Sequence, residues 1–401
     1  MRISMVVMKR RPHLNTQCAR AGSVSHRPGA NEPVQPAIVQ SAIFDLGGTE
    51  DAEAIFSGAR QGYAYTRFGN PTVEDLGRVL AGLEGGAGAL VTSSGNAATL
   101  CAVTSALHGR AGPVLTPPDI YGGSFELLRI LNEVYRLPIE TVDPSDSSAW
   151  KSAVGRAGVV LVETPSNPVM RLIDLAETIG FARAAGVPVI VDNTVATPLI
   201  QRPLELGADW VVHSTTKYLN GHGDLIGGCL IAREPLTRLH RAIHKNLGGT
   251  VNAFEAWLTL RGLRTLALRM DAHNRNAQAI ADWLSGRPEV SAVHYPGLAS
   301  HPQAELFRRQ MSSGGGLLSF ELSGGAAAAA RFIDRLQLIV HAVSLGGPET
   351  LVTLPARSSH RGMTPDARRR AGVADGLVRL SAGLECIDDL LEDMSQAIVG
   401  C

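Results

Sequence analysis

Apolar positions along this chain follow two rhythms. Short β-branched runs, ALVTS at 89–93, PVLT at 113–116, VVLVE at 159–163, VPVIVD at 187–192 and DWVVHS at 209–214, alternate with stretches of helical period. Those stretches cover 71–84, GNAATLCAVTSAL from Gly95, GGSFELLRIL from Gly122 and LIDLAETIGFARAAG from Leu172. Near-continuous apolar runs mark strands buried on both faces, and strand-helix alternation over this length predicts an α/β, doubly wound, mostly parallel sheet. The charged run REPLTRLHRAIHKNLG after Ala232 predicts a solvated helix, and one long helix is predicted from Ala253 to about Leu284. Beyond it, VSAVHYP, GGGLLSFEL and LVRLSAGLE give strand signals around the helical AAAAARFIDRL, which predicts a smaller α+β lobe. The alternation in SGGGLLSFEL reads as a half-exposed antiparallel strand. Residues 14–68 are rich in Pro, Gly and short polar clusters and predict an extended arm that builds no core alone. The expected division is an arm at 1–68 with a disordered first dozen residues, a large lobe at 69–262 and a small lobe at 263–401.

Composition narrows the classes without choosing among enzymes. The 401 residues carry 37 basic and 37 acidic side chains, a balance that argues against nucleic acid or membrane surfaces as partners. Five scattered cysteines, without a spacing motif, fit a reducing cytoplasm. No apolar run is long enough to span a bilayer. His213, His222, His240 and His244 lack ligand spacing with carboxylate partners, so no metal site is expected.

The chemistry gathers at two predicted strand ends. The run DWVVHSTTKYLNGHGDLIGG ends its apolar part in Ser214, Thr215 and Thr216 and then presents Lys217 before a glycine-rich turn. A desolvated lysine loses its proton readily and attacks carbonyls; at a strand-to-turn corner it is equally a solvated surface charge. The buried run before it ends in Asp192, and ligands of open α/β sheets bind beyond the carboxyl ends of strands. An aspartate and a lysine converging there satisfy a pyridoxal phosphate site, where the amine bonds the aldehyde and the carboxylate holds the ring nitrogen's proton. They satisfy a buried salt bridge as well. Two further features point to an anion. Ser94, Gly95 and Asn96 open a helix whose first amides have no intrahelical acceptor. Tyr65 and Arg67 alternate in an extended segment and point the same way, offering a phenol and a guanidinium, although a plain exposed turn before Asn70-Pro71 reads as well.

Taken in order, YTRFGNPT, ETPSNP, DNTVATP, QRPLELGADWVVHSTTKYLNGHGD, SLGGPETL and RLSAGLE resemble the Cys/Met-metabolism family of pyridoxal phosphate enzymes. That family includes cystathionine γ-synthase, cystathionine lyases, methionine γ-lyase and homoserine-ester sulfhydrylases. The resemblance implies the aspartate-aminotransferase-like arrangement called fold type I. It implies that Lys217 bonds the cofactor, Asp192 faces its ring nitrogen and Tyr121 stacks on its ring and moves protons. Ser94, Gly95, Asn96, Ser214 and Thr216 then surround the phosphate, with Tyr65 and Arg67 reaching in from a neighbouring subunit. Arg379, Asn167 and Ser344 hold the substrate, with Val343 and Glu126 at positions that differ among members. A homotetramer, built as a dimer of dimers, is implied too.

Where cystathionine-handling members present an arginine, a glutamate before the Ser-Leu-Gly loop and a glutamate before the Tyr-x-Arg pair, this chain has Glu126, Val343 and Ala64. Loss of these polar anchors weakens recognition of a second amino acid. Val343 matches methionine γ-lyase, yet that enzyme's pocket cysteine is Gly123 here. The reading is therefore α-proton removal and γ-elimination from a γ-substituted amino acid through a vinylglycine-type intermediate. γ-Replacement with a sulfur, carbon or nitrogen nucleophile and an aminotransferase are the alternatives.

Overall fold

The structure is a computed structural model in which residues 11–23, 31 and 33–400 are described. The expectation of a disordered amino terminus falls mainly on residues 1–10, outside that set. Seven strands, β1 (Gly88–Thr92), β2 (Val114–Thr116), β3 (Ile139–Thr141), β4 (Val159–Glu163), β5 (Val189–Asp192), β6 (Trp210–His213) and β7 (Gly228–Ala232), form one sheet. Its order is β1-β7-β6-β5-β4-β2-β3, parallel from β6 to β3, with β7 antiparallel to both neighbours. Because β4, β5 and β6 lie side by side and run the same way, Glu163 pairs in register with Asp192, and Asp192 with Val212. Two acidic strand ends, Glu163 and Asp192, therefore open into one crevice, as strand order in open α/β sheets dictates.

Both sheet faces are covered. Alternate residues Val191, Val211 and Ile231 enter a core on one face, while Ile190, Val212 and Leu230 enter a second core on the other. A second sheet holds β8 (Val290–His294), β9 (Leu317–Leu322), β10 (Val340–His341), β11 (Leu351–Thr353) and β12 (Leu377–Ser381), in the order β10-β11-β12-β9-β8. Its own core includes Phe320, Phe332, Leu380 and Met394. Among the described residues no helix is long and apolar enough to cross a membrane.

The fold departs from the sequence reading in three places. The arm includes two helices, Leu14–Ala19 and Thr49–Ser57, and the first buries Cys18 completely in the main core. Strand β9 is buried on both faces; β8 and β12 flank it, and Ser319 donates to the Pro168 carbonyl of the large lobe at 2.7 Å. Its alternation thus separates two interfaces, with no face left to water. The long helix is two, Ala253–Leu263 and Leu266–Ser285. The break follows Gly262, where a Cβ would lie 2.2 Å from the Asn220 carbonyl oxygen. Arg269 then donates to the carbonyls of Gly262 and Tyr218, both at 2.8 Å, and pins the turn that carries Lys217 to this junction.

Candidate active site

A cavity of about 370 Å³ occupies the crevice between the two sheets. The large sheet contributes Glu163, Asp192 and the turn after β6; the small sheet contributes Thr353 and Arg379, and the loop before β11 contributes Val343, Ser344 and Leu345. Thr353 and Arg379 are cross-strand partners on β11 and β12, so their side chains stand together on one face.

Ser344 joins the two cations. Lys217 Nζ donates to Ser344 Oγ at 2.8 Å, and Arg379 Nη2 donates to the Ser344 carbonyl at 2.6 Å. The serine adopts φ 94, a backbone conformation that a residue with a Cβ holds only under constraint. Burial, reinforced by the charge of Arg379, brings Lys217 down to about 8. At pH 7 about a tenth of the population then carries a free amine, against well under a thousandth for an ordinary lysine. Arg379 is 4% exposed, and burial lowers it to about 10. Its Nη1 lies 3.4 Å from Asn167 Oδ1, and its Nε is buried without a partner. A buried guanidinium with an unused N–H is a ready carboxylate receptor.

Burial raises Asp192 above the usual carboxylate range, opposed by the Thr194 hydroxyl and by its N–H, which donates at 3.0 Å, and by His213. Glu163 is raised well above its usual value by burial and by Asp192 beside it, and it accepts the Tyr121 N–H at 2.6 Å. Tyr121 precedes the helix Gly122–Tyr135 and is 38% exposed, so its ring borders the cavity without being enclosed by this chain. A Cβ at Gly123 would lie 2.4 Å from Tyr121 Cε1, so the absent side chain leaves room for the ring to fold over its own helix.

Opposite the tyrosine, Ser94 caps the twelve-residue helix Gly95–Ala106 by accepting from the Ala97 N–H, which leaves the Gly95 and Asn96 amides directed outward. A Cβ on Gly95 would lie 2.9 Å from Ser214 Cβ, so only glycine lets the helix start close against the strand end. Asn96 Nδ2 is held by the Gly123 carbonyl at 3.2 Å, and the Thr216 hydroxyl donates to the Gly227 carbonyl and accepts its amide. Ser94, Gly95, Asn96, Ser214 and Thr216 all line the cavity.

Three candidates lie elsewhere. Glu126 does not reach the cavity: its side chain is 47% exposed and paired with Arg129 one turn along the helix at 2.6 Å. Two residues beyond Ser124, more than half a turn round the helix, it points along the outer face while Ser124 turns inward to the cavity. Tyr65 and Arg67 are exposed and lie away from this chain's cavity, with Arg67 Nη1 donating to the Lys245 carbonyl at 2.9 Å. Conversely, the cavity is lined by Glu163, Thr194, Ile226, Thr353, Ser358 and Ser359, which were not singled out. Glu163 carried a usable signal, since its strand ends level with that of Asp192; the others are brought in by tertiary contact alone.

The donor set fits pyridoxal phosphate. An amine tuned toward neutrality, an acid at the next strand end, an exposed aromatic face and a helix amino terminus across the cavity match aldehyde, ring nitrogen, ring and phosphate in turn.

Comparison with known proteins agrees. Residues 15–399 match the profile described as Cys/Met metabolism PLP-dependent enzyme. The chain is 44% identical over 369 residues to an L-methionine gamma-lyase of Pseudomonas putida, covering 90% of this chain and 92% of the relative. It is 40% identical over 383 residues to the cystathionine gamma-synthase of Escherichia coli, covering 94% and 97%. Among solved structures, cystathionine gamma synthase from Xanthomonas oryzae pv. oryzae in complex with aminoacrylate and cysteine superposes with TM-score 0.88 at 42% identity, over 96% of this chain and 98% of that one. Match to the profile over nearly the whole length, together with this geometry, places the chain in the Cys/Met-metabolism family of pyridoxal phosphate-dependent enzymes.

Proposed function

We propose that this enzyme acts on a γ-substituted amino acid of the sulfur amino acid or homoserine-ester type and eliminates the γ group. The carrying observation is that Ser344 holds Lys217 and Arg379 at once, through its hydroxyl and its carbonyl. When bound, pyridoxal phosphate supplies the electron sink that makes protons on the substrate's α and β carbons removable.

The chain's own residues do the rest. Arg379 takes the substrate α-carboxylate on its unused N–H, with Asn167 fixing the fork. That docking sets the α-carbon beside Lys217, whose free amine removes the α proton and then the β proton and returns protons to the product. Ser344 fixes Lys217 Nζ between those positions by its hydroxyl. Asp192 holds a proton at the ring nitrogen, Tyr121 covers the ring, and Ser94, Gly95, Asn96, Ser214 and Thr216 take the phosphate. Val343, 64% exposed, and Ile226, also 64% exposed, give the mouth an apolar rim suited to a thioether.

Tyr65 and Arg67 complete the phosphate site of a second subunit. Their exposure, and that of Ile43, Phe56 and Phe68 on the same arm, supports a homotetramer built from two such dimers. We read 1–68 as the arm, 69–262 as the large lobe and 263–401 as the small one, acting in the cytoplasm. γ-Replacement is the second reading, favoured by similarity to an O-succinylhomoserine sulfhydrylase of Pseudomonas aeruginosa at 40% identity. Methionine, cystathionine, cysteine and O-acetylhomoserine are supplied with and without sulfide while 2-oxobutanoate, pyruvate and thiol are followed. Elimination predicts 2-oxobutanoate from methionine without sulfide; sulfide-dependent thiol formation with no 2-oxo acid would establish replacement instead.

A further inference from the structure

One loop of the large lobe is tied both to the turn that carries Tyr121 and to the sheet that carries Arg379. It covers residues 166–171, after β4, and includes Asn167 of the cavity. The loop closes on itself: the Ser166 N–H donates to the Arg171 carbonyl at 2.9 Å, and the Arg171 N–H donates to Ser166 Oγ at 3.1 Å. Within it the Met170 N–H donates to the Ser166 carbonyl at 2.9 Å, and Met170, fully buried, turns the chain back at φ 56. A segment cross-tied and buried in this way moves as one body, so a displacement of Arg171 or Pro168 carries Asn167 with it.

The loop is fixed to both lobes. On the large lobe, the sheet order β4-β2-β3 sets it beside the turn after β2, which ends at Tyr121. Arg171 Nε donates to Asp119 Oδ2 at 3.0 Å and Nη2 donates to Oδ1, a two-pronged ion pair two residues before the tyrosine. Arg171 Nη1 donates to Asp143 in the turn after β3 at 2.7 Å, so one planar fork joins the loops that follow β2, β3 and β4. The Asp119 side chain is 2% exposed, and a buried carboxylate deprived of that fork is costly. On the small lobe, Ser319 Oγ donates to the Pro168 carbonyl at 2.7 Å. Ser319 is the cross-strand partner of Arg379 on β9, so the two side chains stand on one face of that sheet. Asn167, between these ties, places Oδ1 3.4 Å from Arg379 Nη1.

We propose that Asp119, Arg171 and Ser319 are positioning residues, which hold the loop 166–171 as a spacer of fixed length between the ring-covering Tyr121 and the carboxylate receptor Arg379. The Asp119–Arg171 pair sets the tyrosine end, and Ser319 sets the arginine end. The inference rests on the reading that Tyr121 covers the cofactor ring and Arg379 takes the substrate α-carboxylate. None of the three is among the described residues that line the cavity, so each acts through a neighbour that does.

The test uses holoenzyme and two readouts. Visible absorption and circular dichroism of the bound cofactor report the tyrosine end. The glycine concentration that half-saturates the change in that spectrum reports the arginine end, because glycine offers an α-carboxylate and an amine without a γ group. Asp119→Asn keeps size and loses charge, and Arg171→Lys keeps charge and loses the fork. Both are expected to shift the band and lower its dichroism, with half-saturation unchanged. Ser319→Ala is expected to keep the wild-type band and to raise half-saturation about three- to tenfold, the loss of one neutral hydrogen bond. Either pair variant suffices if the other fails to fold, and Ser319→Cys replaces Ser319→Ala in that event. A folded variant that leaves its own readout at the wild-type value overturns the inference, since its contact then serves folding alone; so does a set in which both readouts move together. Tyr121→Ala and Arg379→Gln test the reading itself. A wild-type band in the first, or wild-type half-saturation in the second, overturns that reading and the inference with it.

Discussion

At the residue scale, Ser344 gives one side chain and one carbonyl to two different cations while held at φ 94. Ser344→Ala leaves the carbonyl for Arg379 and removes only the hydroxyl that Lys217 uses. A hydrogen bond to a charged group contributes about 1.5–3 kcal/mol, so kcat should fall ten- to a hundredfold with KM nearly unchanged. Steady-state kinetics on methionine separate the two; a matching rise in KM would show that the serine acts on substrate binding. Lys217 itself gives a pH signature in the cofactor-free protein. Its folded value, about 8, lies below the ordinary 10.5, so between those values the unfolded chain binds more protons and stability rises with pH. The gain across that window is about 3 kcal/mol at most. Thermal melts of Lys217→Met should lack this rise, and a parallel pair of curves would contradict the low value. Lys217 and Asp192 were legible because each ends a buried run with a charge that such a run does not otherwise tolerate. Glu126 was misplaced because a family position was carried over without the helical phase that turns it outward.

At the scale of elements, the site is built where helix starts meet strand ends. Gly123 lets Tyr121 lie across its own helix, since a Cβ there would sit 2.4 Å from the ring. Gly123→Ala should therefore rotate the tyrosine, shift the holoenzyme's visible band and lower kcat, while global stability changes by about 1 kcal/mol or less. An unchanged spectrum would mean that the ring has another resting place. The parallel order of β4, β5 and β6 followed from their apolar runs, and the helix Pro71–Glu84 from its period and its Asn70 cap. The break at Arg264–Thr265 had no local signal, because it answers to Asn220, which approaches Gly262 from a distant part of the chain. Thr353, Ser358 and the Asp119–Arg171 pair were invisible for the same reason: their partners lie far away in sequence, and only the tertiary fold brings them together.

At the scale of the molecule, each cavity is open toward solvent on the side where Tyr121 stands, and the arm offers Tyr65 and Arg67 outward. If a second subunit supplies them, Arg67→Ala should weaken cofactor retention about ten- to a hundredfold, the loss expected for one charged phosphate contact. Lys217→Ala should abolish turnover and retain the cofactor better than Arg67→Ala. Equilibrium dialysis of both proteins distinguishes these roles, and equal losses would count against them. The chain contains four lysines, Lys9, Lys151, Lys217 and Lys245, so the covalent claim can be tested at single-residue resolution. Holoenzyme is reduced with borohydride, digested and mapped by mass spectrometry. One pyridoxyl phosphate adduct on the peptide containing Lys217 is the predicted result; an adduct at another lysine, or none on a protein that has bound the vitamer, would contradict the account.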